Sequence, residues 1–171
     1  LAMLSKRGAS RYAKDINEFR IGRVCNAIGG CNFVIPAHWR GDAMERKKLA
    51  ELVTRFTEAF NREDLDGVMS FMADDAVYDE FNGTINRGAA AIRAAFVPQF
   101  RGDYGKLRFH TEDLFVDATA GKVLIRWLCT LETRKGPAGW RGLDILHVEN
   151  GRITQKLTYA KAKVPLLEEK Q

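Results

Sequence analysis

Apolar residues recur at helical spacing in the middle of the chain. Between residues 45 and 62 they stand three or four positions apart, which places them on one face of an amphipathic helix; they are Leu49, Leu52, Val53, Phe56 and Phe60. Two shorter helices are predicted at about 64–72 and 87–100, the second with Pro98 near its end. The residues before Met44 keep no sustained period and predict at most a short helix over 10–21.

Strand-like alternation accompanies and then follows these helices. The segment FMADDAVYDEFNG, residues 71–83, predicts one strand that ends at Gly83. Later strands are predicted where apolar alternation resumes between turn signals; they cover 106–115, 122–133, 140–149 and 152–163. The turn signals are DATAGK, RKGPAG and ENG, and ENGR predicts a tight hairpin. Helices followed by a run of antiparallel strands indicate the α+β class rather than alternating βαβ units.

Length and composition are typical of one soluble globular domain. The 171 residues are 46% hydrophobic and 29% charged, and no apolar run reaches the roughly 18 residues that span a bilayer. No apolar stretch follows Lys6 and Arg7 to make a signal peptide. We therefore expect a cytoplasmic protein without a membrane partner, composed of an N-terminal extension of uncertain structure over 1–43 and a single domain over 44–171.

The basic charge of the chain belongs mainly to its first segment. The net charge is +5, and residues 1–43 contribute +4 of it through seven Lys and Arg against three Asp and Glu. The remaining residues are therefore close to neutral, at +1. A nearly neutral domain lacks the basic surface of a nucleic-acid-binding module. We expect no nucleic-acid partner.

Cysteines, histidines and short motifs give little support to other chemistry. Cys25 and Cys31 could pair or bind a metal, but no CxxC accompanies them and Cys129 alternates with core residues. His110 and His147 fall in strand patterns and are expected to be structural. No Walker, GxGxxG or HExxH motif is present. No metal site is predicted.

Two carboxylates, in contrast, fall on apolar strand faces. Glu80 has the same parity as Ala76 and Tyr78, and Asp144 has the same parity as Leu146. An unpaired buried carboxylate is costly, so each acid is solvated, paired with a cation, or used in a pocket. The cations available as partners are Arg126, Arg141 and Lys156.

Four segments follow one another between about Met44 and Lys163: FNREDLDGVMSFMADDAVY, NRGAAAIRAAF, WRGLDILHVENGRI and KLTYAK. In this order they resemble the nuclear transport factor 2-like superfamily, in its SnoaL-like and ketosteroid isomerase-like branch. The resemblance implies a cone-shaped, curved, mostly antiparallel sheet wrapped around three N-terminal helices, a cystatin-like α+β barrel with a pocket. It also implies a homodimer, for which Leu143 and Ile145 on the convex face could supply the interface. The fold hosts enzymes, binders and scaffolds, so it specifies no activity.

The isomerase pattern carries over to three positions. It implies the general base at Glu80, three residues before Gly83, and the protonated acid of the oxyanion hole at Asp144 within GLDILHV. The hydroxyl-bearing tyrosine of the first helix falls on Phe56, which cannot donate a hydrogen bond. The residues that could substitute for that tyrosine are Tyr78, Trp127 and Tyr159.

These acids and the resemblance together predict a small cofactor-independent enzyme. An apolar setting raises the pKa of a carboxyl, and two neighbouring carboxyls titrate apart. Glu80 would act as base and Asp144 as acid or hydrogen-bond donor on a hydrophobic or carbonyl-bearing molecule, in an isomerase, cyclase or hydrolase type of reaction. The predicted pocket-lining residues are Phe56, Tyr78, Trp127, Leu146, Lys156 and Thr158.

Two alternatives remain open from the sequence. If Lys156 faces the same cavity, it pairs with Asp144 and keeps that acid ionised; the oxyanion role of Asp144 then fails, and the site favours an anionic ligand. The second alternative is a non-catalytic domain of the same fold, which binds a small molecule or forms a dimer.

Overall fold

The computed structural model describes residues 23–25, 31–33, 37–133 and 136–161, and the chain divides into two units, 1–39 and 40–171. In the first unit, β1 (Arg23–Cys25) pairs antiparallel with β2 (Cys31–Phe33), and Cys25 is the register partner of Cys31. Whether these two cysteines pair or bind a metal stays a prediction. The helix predicted over 10–21 lies outside the described residues.

Helix α1 (Ala37–Asn61) has the predicted core face but an earlier start. Leu49, Val53, Phe56 and Phe60 are buried, as their spacing predicts. The predicted start at 45 is wrong because apolar spacing marks only the packed part of a helix, whereas a helix, once nucleated, extends through any segment without a strong breaker. The side chain of Asn61 then ties the end of α1 to the sheet: it donates to the Phe109 carbonyl at 2.9 Å and accepts from the Phe109 N–H at 2.8 Å.

Two short helices follow α1 in the second unit. In α2 (Leu65–Ser70) the Asp64 carboxylate caps the first turn by accepting from the Gly67 N–H at 2.7 Å. In α3 (Ala89–Phe100) Ile92 and Phe96 are buried. Both helices confirm the elements predicted from the sequence.

Six strands form one open, mostly antiparallel sheet in the order β4-β3-β8-β7-β6-β5. Register shifts interrupt three of the strand pairs, and such bulges bend a sheet. The architecture confirms the predicted α+β class, with a sheet that does not close. The strands are β3 (Met72–Asp79), β4 (Ile85–Arg87), β5 (Arg108–Asp117), β6 (Lys122–Thr133), β7 (Gly136–Glu149) and β8 (Arg152–Ala160).

The sheet differs from the predicted one in two strands. Strand β4 was not predicted, since three residues are too few to show alternation. Strand β7 begins at Gly136, inside the predicted RKGPAG loop, and its first residues pair with β6. Among the described residues Pro137 has a neighbouring strand on that side only, a position where proline is tolerated. The ENGR hairpin is confirmed, with Glu149 paired to Arg152.

The order of strands places β8, the last of the described strands, beside β3. Strands β3 and β8 are the parallel pair of the sheet, and Tyr78 is the register partner of Lys156. Strand β8 also pairs antiparallel with β7, where Thr158 is opposite Asp144. Among the described residues, no helix is long and apolar enough to cross a membrane.

Candidate active site

A cavity of about 460 Å³ lies between the inner face of the sheet and helices α1 and α3. Its volume is in the range of small-molecule sites. Nine of the nineteen lining residues are aromatic and three more are aliphatic, namely Ala95, Leu107 and Leu131, so most of the wall is apolar. The aromatic residues are Phe56, Phe60, Tyr78, Phe81, Phe96, Tyr104, Phe109, Trp127 and Trp140.

Most rings of the inner wall hold one another in place. Phe60 contacts Phe56 and Phe96 edge to face, with centroids 5.1 and 5.2 Å apart. Phe109 meets Trp127 in the same way at 5.4 Å. Edge-to-face pairs each add about 0.5–1.5 kcal/mol beyond area burial. The apolar wall is therefore formed before any ligand binds.

One end of the cavity is polar and contains a buried ion pair. Lys156 Nζ donates to Asp144 Oδ1 at 2.8 Å and to Thr158 Oγ1 at 2.5 Å. The Thr158 hydroxyl in turn donates to Asp144 Oδ1 at 2.7 Å. The side chains of Lys156 and Asp144 are only 7% and 12% exposed. The three polar groups thus bond to one another, and these bonds use two of the three N–H groups of the Lys156 ammonium.

Strand register explains this cluster. Thr158 and Asp144 are opposite each other on β8 and β7, and Lys156 points to the same inner face two residues earlier. The parallel pairing of β3 with β8 sets Tyr78 next to Lys156, and the ammonium lies 4.8 Å from the Tyr78 ring centroid. This distance is within the range of a cation–π contact.

Burial and neighbouring charges shift the pKa values of two groups at this polar end of the cavity, Lys156 and Tyr78. Burial alone would lower the pKa of Lys156, but the Asp144 carboxylate and other neighbouring charges outweigh it and raise that pKa above its usual value. The pKa of Tyr78 is also raised, in this case by burial itself, although the positive charge of Lys156 opposes the shift. Lys156 therefore stays an ammonium at neutral pH, which makes it a hydrogen-bond donor and not a nucleophilic amine. Tyr78 keeps its phenolic proton.

Glu80 lines the same cavity as the Lys156–Asp144 pair. It follows β3 directly, and the Asn86 amide donates to its Oε1 at 2.7 Å. Its backbone is held in the turn as well, by bonds to Thr84 and Gly83 at 2.9 Å each. Within the described ranges, no cation lies within 4 Å of this carboxylate. Glu80 is thus oriented by an amide rather than neutralised by a charge.

The other predicted residues divide between the cavity, the core and the surface. Phe56 and Trp127 line the cavity as predicted, whereas Leu146 is fully buried and is not among the lining residues. Tyr159 is 54% exposed on the opposite face of β8 and cannot replace the missing tyrosine. The buried indole N–H of Trp127 has no partner in the described part of the chain.

Arg126 and Arg141, the other predicted partners of the acids, instead pair with Glu112, at 3.7 and 2.9 Å. Asn86 was not predicted as a site residue, because it belongs to the unpredicted strand β4 as the partner of Tyr78. Phe81 and Tyr104 were not predicted either, because they lie in turns and carry no periodic signal.

Gly142 allows Trp127 to lie flat against the sheet. A Cβ at position 142 would be 2.3 Å from Trp127 Cη2 and 2.4 Å from the Tyr159 carbonyl oxygen. We expect Gly142→Ala to lower the free energy of unfolding by about 1–3 kcal/mol, as overpacking does, in a urea titration. Adding Trp127→Phe should recover part of the loss by removing the indole contact. A fully stable Gly142→Ala protein would contradict this tight packing.

The remaining titratable residues of the described ranges form no second site. Burial raises the pKa of the Cys129 thiol to about 11, so it stays protonated. Burial also lowers the pKa of His147, and the ring of His110 contacts Thr130 Oγ1 at 3.0 Å. No cluster of His, Cys, Asp and Glu in the described ranges could hold a metal ion.

Comparison with solved structures finds the same fold in several bacterial proteins. An NTF2-like protein of unknown function from Mesorhizobium loti is 23% identical, with a TM-score of 0.57 over 69% of this chain and 94% of that one. A candidate polyketide cyclase from Xanthomonas campestris pv. campestris is 24% identical, with a TM-score of 0.54 over 67% and 91%. A Mycobacterium tuberculosis protein in complex with estradiol-17β-hemisuccinate is 20% identical, with a TM-score of 0.57 over 66% and 92%.

Comparison with families of sequences gives a more specific result. Among proteins of curated function, none matches the chain at a significant level. The sequence model of the SnoaL-like domain, however, matches residues 53–156. That range begins in α1 and ends in β8 at Lys156, so it contains both acids and the ammonium of the cavity. This chain belongs to the SnoaL-like domain family.

Proposed function

We propose that this protein is a cofactor-independent enzyme that removes a proton next to the carbonyl group of an apolar small molecule, in a reaction of the isomerase or cyclase type. One observation carries the proposal. A carboxylate that has no cation within 4 Å among the described residues and an ammonium held in its charged form line the same apolar cavity. These are the two groups that enolate formation requires, one to accept the proton and one to stabilise the oxygen.

In this mechanism Glu80 is the base. The Asn86 amide occupies its Oε1, which leaves Oε2 to accept the proton from the substrate carbon. As the C–H bond breaks, its electron pair moves to the carbonyl oxygen. The ammonium of Lys156 donates a hydrogen bond to that oxygen and stabilises its negative charge. Return of the proton to another carbon gives isomerisation, and attack of the enolate on a second carbonyl gives cyclisation.

Asp144 has a different part in this mechanism from the one the resemblance implies. Its Oδ1 accepts from both Lys156 and Thr158, an arrangement that supports the ionised alternative left open by the sequence. Asp144 and Thr158 would then position the ammonium, and Lys156 would replace the protonated acid as donor. Because the Lys156–Asp144 pair is neutral overall and Glu80 adds a negative charge, an uncharged ligand fits this end better than an anion.

The similar structures support a small organic ligand. One of them is a candidate polyketide cyclase, and another was solved with a steroid ester in complex. The direct test is exchange of α-hydrogens of an uncharged ring ketone, such as β-tetralone, in heavy water, followed by NMR. We expect the protein to accelerate exchange above the rate in buffer. Saturable binding without any acceleration would favour the non-catalytic domain.

We also propose that two copies associate through the outer face of the sheet. Phe115, Leu124, Ile145 and Leu157 are successive register partners across four strands of that face. Phe115 is 65% exposed, and a two-fold axis would place such an apolar row against its own copy. We expect light scattering to show a dimer that Phe115→Glu converts to a monomer. The control is Met44→Glu, at an exposed position of α1, outside the sheet. A monomeric wild type, or a Met44→Glu protein that dissociates as readily as Phe115→Glu, would contradict the proposal.

A further inference from the structure

Two aromatic side chains line the cavity and yet remain largely open to solvent. Phe81 is 53% exposed and Tyr104 is 59% exposed, although both belong to the cavity wall. The rings deeper in the wall, such as Phe60 and Phe96, are almost fully buried. Phe81 and Tyr104 must therefore lie where the cavity opens. We call these two residues the aromatic rim.

The rim rings also lack the partners that the inner rings have. Among the described aromatic pairs, neither Phe81 nor Tyr104 contacts another ring. Water against a flat apolar surface is unfavourable, and a second ring placed on it gains both burial and a specific aromatic contact. The rim is thus a surface that a flat ligand group would complete.

Backbone turns on two different segments present these rings. Phe81 lies in the turn after β3, directly next to the proposed base Glu80, and Gly83 closes that turn with φ at +84°. Tyr104 lies between Gly102 and Gly105, whose φ values are +84° and +83°. Positive φ favours glycine, so the glycines of the local sequence account for both turns.

Apart from Glu80, which the proposed function assigns to the reacting centre, the charged residues that line the cavity in the described part of the chain are Asp144 and Lys156 at its inner end. Arg101 and Asp103, which precede Tyr104, bond to each other through two contacts at 2.9 and 2.5 Å. The polar residues that line the cavity from the two rim segments and the end of α3 are Asn82 and Gln99, both uncharged. An uncharged ring is therefore the group that best matches this part of the wall.

We infer that the aromatic rim is a second binding subsite, which takes a flat, uncharged ring of the ligand while the Glu80–Lys156 end takes its carbonyl. The assignment of the inner end rests on the proposed function. The ligand class is then an uncharged ketone whose ring system extends from the reacting centre to the cavity opening. Because Phe81 follows Glu80 in sequence, a ring held at the rim also fixes the distance of the reacting carbon from the base.

Binding of two neutral probes tests the subsite. Phenylnaphthylamine carries flat rings and reports its binding by fluorescence, whereas dipentyl ketone has no ring and is measured by its displacement of phenylnaphthylamine. We expect Phe81→Ala and Tyr104→Ala each to raise the Kd for phenylnaphthylamine about 2–10-fold, and to leave the Kd for dipentyl ketone unchanged. Tyr104→Phe keeps the ring and should bind like the wild type.

The matched control is Ile85→Ala in the same β3–β4 hairpin. Ile85 is 52% exposed but does not line the cavity, so its loss should leave both Kd values unchanged. Urea midpoints show that each variant is folded. The inference is overturned if the wild type binds no phenylnaphthylamine, if the double rim variant binds it normally, or if Ile85→Ala weakens it equally. Because binding is measured without turnover, ring selectivity without α-hydrogen exchange would overturn the enzyme proposal alone.

Discussion

Replacing Glu80 with glutamine is expected to slow α-hydrogen exchange by about 10²–10⁴-fold, which is the usual contribution of a positioned general base. Glutamine keeps the shape of the side chain and can still accept from Asn86, which now bonds to Glu80 at 2.7 Å. It cannot accept a proton at neutral pH. The measurement is the NMR exchange rate of β-tetralone in heavy water, at saturating ketone.

A control carboxylate separates this effect from a change in net charge. Glu149 is exposed at the end of β7, away from the cavity, so Glu149→Gln should exchange at the wild-type rate. The Kd for phenylnaphthylamine should also be unchanged in Glu80→Gln, because the aromatic wall is intact. If Glu80→Gln exchanges as fast as the wild type, Glu80 is not the base.

Replacing Lys156 with methionine is expected to lower the free energy of unfolding by about 3–5 kcal/mol. This is the usual effect of removing one partner of a buried ion pair, since the carboxylate of Asp144 is left without its countercharge. Urea unfolding measures the loss. Adding Asp144→Leu should restore most of the stability, because an apolar pair of similar volume avoids the buried charge.

An exposed pair provides the control for this variant. Lys47 and Glu51 are 3.7 Å apart, with side chains 77% and 61% exposed, and such pairs contribute at most about 1 kcal/mol. Lys47→Met should therefore leave stability nearly unchanged. If Lys156→Met is no less stable than Lys47→Met, the buried pair does not have the role that its geometry indicates.

The fall of the free energy of unfolding at alkaline pH gives a second test of the Lys156–Asp144 pair. Because the pKa of Lys156 is raised in the folded protein, its contribution is complete below the unfolded value of about 10.4 and is lost as pH rises through the folded value. The raised pKa of Tyr78 acts in the same direction. We expect wild-type stability to fall above about pH 10, and to fall less steeply in Lys156→Met. Equal slopes would contradict the assignment.

In the second unit, a helix or strand could be predicted from the sequence where its buried residues recur at regular spacing. Val53 and Phe56 stand three apart and are buried on one side of α1, and the parity of Asp144 placed it on the buried face of β7. The glycine-containing segment ENGR likewise predicted the hairpin that joins β7 and β8. These features depend on neighbours within a few residues, which is why periodicity and turn chemistry predict them.

Partners distant in the chain could not be predicted in this way. The sequence placed Glu80 and Asp144 on apolar faces and left the cation beside Asp144 undecided among Arg126, Arg141 and Lys156. The tertiary structure selects Lys156, since β8 lies between β3 and β7 and the two arginines turn to Glu112. It also shows that Asn86 bonds to Glu80 and that the rim residues line the cavity. These contacts form only where separate segments of the chain meet.

By itself, then, the sequence determined the α+β order of elements and the burial of each face, because hydrophobic burial imprints a regular spacing on the chain. Only the tertiary structure decided which charges share the cavity. An ion pair depends on strand order and register, and neither leaves a periodic trace. For the same reason, only the tertiary structure shows Lys156 beside Asp144, and our proposal therefore assigns the hydrogen bond to the substrate oxygen to Lys156.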